Sequence, residues 1–337
     1  MLYDKLGGDR VRCRVCAHRC TIEPGARGVC SVRENVDGKL VSLVYGRLIA
    51  RDVDPIEKKP LFHYYPGTRA YSIASVGCNF TCQNCQNHYI SQYPREHGGR
   101  IVGDSVPAEQ VVDEAVASGC HSIAYTYTEP TVALEYVLDV MRCARAAGLG
   151  NAWVSNGYFT DETFAEIAPL LDAINVDLKG ISDRVYHEIV GANVRPVLDT
   201  IERVSRAGVW IEVTTLVIPG VNDGEDELRW IAEAIRGVSP AIPWHVSRFF
   251  PAYRLADRPP TPIETLERAF RIGRDVGLRY IYVGNVPGEG EETRCASCGE
   301  RLIERSGFRI RENRMDEGAC PTCGAPVDGV WFTPQLG

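Results

Sequence analysis

No apolar run in the 337-residue chain approaches the ~18 uninterrupted residues that a membrane span needs. Residues 1–14 also lack the apolar stretch, about 7–15 residues long, of a secretory signal. The expectation is a cytoplasmic protein whose thiols stay reduced. No repeat of about 20–50 residues and no low-complexity tract is present, which excludes a solenoid or a disordered array. An excess of positive charge is missing too. The formal net charge of −7 argues against non-specific nucleic-acid binding by the whole molecule. Residues 1–70 depart from that balance, with 13 Lys/Arg against 8 Asp/Glu. An ordinary solvated face accounts for this basic start more simply than an acidic partner does.

What is present is enough apolar material for a sizeable core, 45% of the residues, and an unusual placement of cysteine. Eleven of the 13 cysteines fall in three tight groups, while Cys120 and Cys143 stand alone in apolar segments. In a reducing compartment such groups read as metal or cluster ligands and not as a disulfide framework.

Three regions follow. Residues 1–65 form an N-terminal four-cysteine metal-binding segment with short strand-like runs such as 39–45. Residues 66–287 form a core of alternating strand and helix signals, and residues 288–337 a second Cys-rich module. Within the core, runs rich in Val, Ile and aromatics predict strands at 71–76, 122–127, 152–155, 173–178, 209–217, 244–250 and 280–283. Helical periodicity predicts helices at 106–117, 131–147, 161–171, 196–207, 226–236 and 263–276. Repeated strand–helix alternation with short connections implies parallel strands and right-handed crossovers. The stretch is shorter than the ~250 residues of a full eight-fold barrel, so the expected fold class is α/β, a partial (β/α)6 barrel of the TIM type. In such a barrel, chemistry sits at the C-terminal ends of the strands. Cys78, Glu129, Asn156, Asp177, Lys179 and His245 all fall on strands or just after them, and are expected at that rim.

The segment Gly77-Cys78-Asn79-Phe80-Thr81-Cys82-Gln83-Asn84-Cys85 spaces three cysteines as C-x3-C-x2-C. Three thiolates leave a zinc site incomplete unless a group such as His88 closes it, whereas an iron–sulfur cluster so held keeps one iron open. This motif after the first barrel strand resembles the signature of the radical S-adenosylmethionine (SAM) enzymes. The resemblance implies a [4Fe–4S] cluster on Cys78, Cys82 and Cys85 whose open iron chelates SAM. It also implies reductive cleavage to a 5′-deoxyadenosyl radical that takes hydrogen from a substrate. Asn84 stands where the family usually has an aromatic residue.

Further matches follow strand by strand. Tyr127-Thr128-Glu129 occupies the place of the Gly-Gly-Glu motif that binds the SAM amino group. Ser155-Asn156-Gly157 resembles a Thr-Asn-Gly turn near the methionine moiety. Asp177-Leu178-Lys179 and Pro219-Gly220-Val221-Asn222-Asp223 resemble segments of pyruvate formate-lyase activating enzymes. His245 matches a histidine on the ribose side. Taken singly, Glu129 could be a helix N-terminal charge, Asp177 and Lys179 an ion pair, and His245 a core histidine. Cys16-Ala17-His18-Arg19-Cys20, Asp54 to Pro60, Cys85-Gln86-Asn87 and Tyr282-Val283-Gly284-Asn285 extend the resemblance to the AmmeMemoRadiSam system radical SAM enzymes. That subgroup implies a class of chemistry and no particular substrate.

Cys295-x2-Cys298 and Cys320-x2-Cys323 read as a zinc ribbon, with rubredoxin-like iron the alternative. Cys13-x2-Cys16-x3-Cys20 with Cys30 is a second complete thiolate set. Structural zinc and an auxiliary iron–sulfur cluster both suit it, zinc the better because ferredoxin-like spacing is absent. The expected cofactors are thus the [4Fe–4S] cluster, SAM and Zn2+ at one or two sites. The expected partners are a flavodoxin- or ferredoxin-type electron donor and a small-molecule or protein substrate, with no membrane and no strong nucleic-acid signal. A glycyl-radical-enzyme activase is one alternative. A non-catalytic zinc-binding interaction protein is the alternative from another class, and the lack of a cobalamin-binding segment argues against a B12-dependent methyltransferase.

Overall fold

A computed structural model describes residues 1–286 and 290–331. Its centre is one eight-stranded sheet. In chain order the strands are β1 (Ala50–Pro55), β2 (Arg69–Ala74), β3 (Ser122–Tyr125), β4 (Gly150–Ser155), β5 (Ala173–Asp177), β6 (Trp210–Val217), β7 (Trp244–Arg248) and β8 (Ile281–Gly284). Strands β2 to β8 neighbour one another in sequence order and are all parallel, while β1 pairs antiparallel to β2 at the edge. The sheet therefore curls as a partial barrel with β1 and β8 as its two ends, and β1 is an addition to the expected strands. Its sequence, Ala-Arg-Asp-Val-Asp-Pro, carries charges because an edge strand faces solvent, so it lacks the apolar run that reveals a buried strand. Residues 50–55 thus join the barrel sheet and are not confined to the N-terminal segment. The boundary expected at 287/288 falls outside the described residues.

Six helices cover the parallel strands: α1 (Ala108–Ala117), α2 (Leu134–Ala146), α3 (Asp161–Ile167), α4 (Arg195–Arg206), α5 (Glu225–Val238) and α6 (Ile263–Val276). Each turns an apolar stripe inward. In α5, Leu228, Ile231, Ala232 and Ile235 are buried at helical spacing, and three acidic residues in its first turn complement the helix dipole. Burial at this scale contributes about 1.5–3 kcal/mol per large side chain. Among the described residues no helix is long and apolar enough to cross a membrane.

The barrel base is plugged from both termini. Ala70, Ala124, Ala152 and Ala173, one from each of four adjacent strands, are small enough to admit Ile56, Leu61 and Tyr64. The C-terminal module is a three-stranded antiparallel sheet, Thr293–Arg294, Arg301–Ser306 and Arg309–Asn313. It buries Leu302, Ile303 and Val327 against Phe62, Tyr280 and Tyr282. Arg305 reaches from this module to the carbonyl of Phe62 at 2.8 Å and lies over the Phe62 ring. The N-terminal strands pack at the other end of the barrel, against the loop that follows β2. Val11, Val15, Ile22 and Val32 share one continuous core with Phe80, Tyr158 and Phe159.

Candidate active site

The loop after β2 carries Cys78, Cys82 and Cys85. It leaves the strand through Gly77, whose φ of +96° lies in the left-handed region, and a Cβ there would sit 2.5 Å from Val32 Cγ1. Only glycine fits both demands. The loop is then fastened by Thr81 N–H to Val190 O and Gln83 N–H to Ile189 O, both 2.9 Å. Arg95 donates to the carbonyls of Cys78 and Phe80 at 2.7 and 3.1 Å. His18 Nε2 donates to Asn79 O at 2.8 Å, tying the N-terminal segment to the same loop.

Two of the three sulfurs have hydrogen-bonding neighbours. Phe80 N–H points at Cys78 Sγ at 3.3 Å, and Ser91 Oγ lies 3.2 Å from Cys85 Sγ. Burial, followed by the nearby Glu129 carboxylate, pushes the Cys78 thiol well above its ordinary value. Burial likewise lifts Cys82 to about 11, with the Lys179 ammonium working the other way. Such thiols stay protonated unless a metal ion supplies the compensating charge. Asn79 Nδ2 and Asn84 Oδ1, both in this loop, are buried without a hydrogen-bond partner. Three inward thiols with unsatisfied polar atoms beside them fit a cluster-sized group and a ligand.

Two polar sets meet this loop. From the end of β3, Glu129 accepts Thr131 N–H at 3.1 Å, Ser155 Oγ–H at 3.0 Å and Asn156 N–H at 2.8 Å. Burial still raises its carboxyl above the ordinary range, because all these donors are neutral. Asn156 continues to Asn79 Oδ1 at 2.7 Å, so the turns after β2, β3 and β4 form one network. From β5, Asp177 pairs with Lys179 Nζ at 3.0 Å. Burial opposes the charge of Lys179, but Asp177 and the Cys82 sulfur outweigh it and its ammonium is held above the ordinary lysine range. Asn222 braces that strand end by donating to Lys179 O at 2.9 Å.

Cys78, Cys82, Cys85, Glu129, Ser155, Asn156, Asp177 and Lys179 are thus brought together. Tyr127 and Thr128 frame the site through the backbone. Tyr127 adopts φ +64°, a conformation glycine takes easily, while its hydroxyl binds Asp54 and its carbonyl accepts Asn87 Nδ2 at 2.8 Å. Thr128 Oγ1 donates to Ser75 O at 2.8 Å.

His245 is a correction. It is the second residue of β7, not the end of it, and its Nε2 lies 2.6 Å from Glu212 Oε2 near the barrel base. Glu212 also accepts the backbone N–H groups of Phe62 and His63 and the indole N–H of Trp210. The expected strand, 244–250, starts where the observed one does and already makes His245 its second residue, so a place for His245 at the C-terminal rim does not follow from those bounds. His88 does not complete a zinc knuckle; its ring stacks on Tyr253 with centroids 4.5 Å apart. Sequence reasoning missed Glu212, whose signal was a lone acid inside an apolar strand, and Arg95, which carried none.

The outer cysteines are also gathered. Cys295, Cys298, Cys320 and Cys323 have all four sulfurs within 4.8 Å of one another, with closest pairs at 3.6 and 3.7 Å. A zinc–thiolate bond of about 2.3 Å sets a tetrahedral edge of about 3.8 Å, so the set has the dimensions of a one-ion site. Cys13, Cys16, Cys20 and Cys30 surround one another near the buried Arg33.

Comparison with known proteins agrees with this geometry. The model of the Radical SAM superfamily matches residues 72–231, which span β2 to α5 and include all three loop cysteines. An uncharacterized protein of Methanocaldococcus jannaschii is 43% identical over 334 residues, covering 98% of each chain. The chain belongs to the radical SAM superfamily. Pyruvate formate-lyase 1-activating enzyme of Escherichia coli is 23% identical over 64% of this chain and 93% of its own, which relates this radical SAM protein to the activases. In fold it is similar to Streptococcus suis SuiB bound to S-adenosylmethionine, with a TM-score of 0.50 at 12% identity over 68% of this chain and 53% of that one. Members of this superfamily are enzymes, which sets aside the non-catalytic zinc protein.

Proposed function

We propose that this radical SAM enzyme cleaves SAM reductively at a [4Fe–4S] cluster held by Cys78, Cys82 and Cys85. The observation that carries the reading is the meeting of three inward thiols with an uncompensated buried carboxylate, Glu129, and the Asp177–Lys179 pair. When bound, the cluster and SAM supply a carbon-centred radical able to take a hydrogen atom. The chain's own residues do the positioning. Glu129 offers a negative charge to the amino group of SAM, Ser155 and Asn156 fix that carboxylate, and Lys179 offers a positive charge on the Cys82 side. The barrel wall excludes water, which keeps a reactive species to one C–H bond.

The substrate type divides the reading. Kinship with an enzyme named for activating pyruvate formate-lyase favours a protein substrate, whose backbone glycine would enter the barrel. A small molecule is the alternative, and deuterium carried from a labelled pool into 5′-deoxyadenosine separates the two. A flavodoxin- or ferredoxin-type reductant, zinc at Cys295, Cys298, Cys320 and Cys323, and a reducing cytoplasmic setting for 13 free thiols complete the proposal. Kinship to the AmmeMemoRadiSam subgroup, resting on Cys16 to Cys20, Asp54 to Pro60, Cys85 to Asn87 and Tyr282 to Asn285, is part of it.

The test is spectroscopic. Dithionite-reduced, anaerobic protein is expected to show a [4Fe–4S]+ electron paramagnetic resonance signal that changes shape when SAM is added. A signal indifferent to saturating SAM would contradict binding at the open iron.

A further inference from the structure

We infer that Cys13, Cys16, Cys20 and Cys30 hold a second iron–sulfur cluster, beside the first, and not a zinc ion. The two outer cysteine sets differ in width. In the C-terminal set all four sulfurs lie within 4.8 Å, the spacing of ligands that share one tetrahedral ion. Among the described residues no three sulfurs of the N-terminal set come that close, and the same holds for Cys78, Cys82 and Cys85. A cluster spreads its thiolates over several irons and needs the wider frame. The N-terminal set therefore matches the central set and departs from the zinc-like one.

This wide frame is nonetheless one site. Cys16 lies close enough to Cys13, Cys20 and Cys30 for their charges to act on it, and Val29 N–H points at Cys20 Sγ at 3.5 Å. Apolar walls close it, with Val11, Val15, Ile22 and Val32 each no more than 2% exposed. An independent sign of an anionic occupant is Arg33. Its Nη1 and Nη2 grip Glu135 at 3.0 and 2.7 Å, yet its buried Nε has no partner, and its charge acts on Cys13 and Cys30. An unpaired guanidinium N–H, 2% exposed, is costly unless something negative faces it.

Position adds a consequence. Arg95 donates to both Val29 O and Cys78 O, and the carbonyl of Cys30 lies against Gly77, 3.1 Å from where a Cβ would be. The two cluster sites thus share a wall at the same rim of the barrel.

The test counts inorganic sulfide, which clusters contain and zinc or rubredoxin-like sites lack. The full chain carrying Cys78→Ala, Cys82→Ala and Cys85→Ala is purified without oxygen after growth with iron. It is expected to remain brown, with about four irons and about four sulfides per chain. A colourless variant without sulfide and with two zinc ions would overturn the inference. A complementary variant, Cys13→Ala with Cys30→Ala, guards against misfolding of the first. It is expected to lose about half the sulfide of the wild type and to keep its zinc. Unchanged sulfide with loss of one zinc would overturn the inference equally.

Discussion

Glu129 and Glu212 lie buried at opposite ends of one barrel, each facing four donor groups, yet their carboxyl groups shift in opposite directions. Around Glu129 the donors are Thr131 N–H and Oγ–H, Ser155 Oγ–H and Asn156 N–H, all neutral, and burial raises it. Around Glu212 burial again pushes upward, but the imidazoles of His245 and His63 and the indole N–H of Trp210 together outweigh it and the carboxyl falls below its ordinary range. Four donors do not by themselves fix the direction of the shift; which groups face the carboxylate does, neutral hydroxyl and amide donors at Glu129 and imidazoles at Glu212. The base is electrostatically closed by its own residues. The rim is left one positive charge short, as a site for a cationic ligand group should be.

Truncating these glutamates separates the two roles most sharply. Glu212→Ala strands two backbone N–H groups and His245, and is expected to cost about 3–5 kcal/mol of stability in a denaturant titration. Glu129→Gln removes a buried charge without removing volume. Its amide nitrogen must face the Thr131 or Asn156 N–H, so it should cost about 1–3 kcal/mol, less than Glu212→Ala, while lowering kcat/KM for SAM cleavage roughly 10- to 150-fold. The comparison breaks if Glu129→Gln destabilises the fold as much as Glu212→Ala does, or leaves SAM cleavage untouched.

A smaller effect comes from pH at the base. Burial holds His63 down to about 4, against about 6.5 for an exposed histidine. Between those values the unfolded chain takes up a proton that the native imidazole refuses. Its contribution to stability is whole above about 6.5 and drains away as pH falls toward 4. The depressed carboxyl of Glu212 adds to the loss at the acid end of that window. Melting temperatures at pH 7 and pH 5 should drop less for His63→Gln than for the wild type. Equal drops would show that His63 titrates normally.

Much of the fold is written in local pattern. All seven parallel strands follow apolar runs, and α4 to α6 follow periodicity, because each buries one face and must be apolar there. β1 is hidden because its outer face is wet and its sequence carries charges in place of an apolar run. The site divides the same way. The cysteines, Glu129 and Asp177–Lys179 are legible as types at strand ends. The start of β7 at Trp244 is legible and puts His245 near the base; what is not legible is its partner, Glu212, which the register Val213 opposite Trp244 brings beside it. The width of a cysteine set is equally invisible in its spacing, since it depends on how loops from Cys13 to Cys30 fold around Arg33.

Formation of 5′-deoxyadenosine from SAM by the anaerobic, reduced protein tests the central claim most directly, with the Cys78/Cys82/Cys85→Ala variant beside it. We expect the wild type to form it and the variant to form none. Equal formation by both would contradict the assignment of the chemistry to these three cysteines.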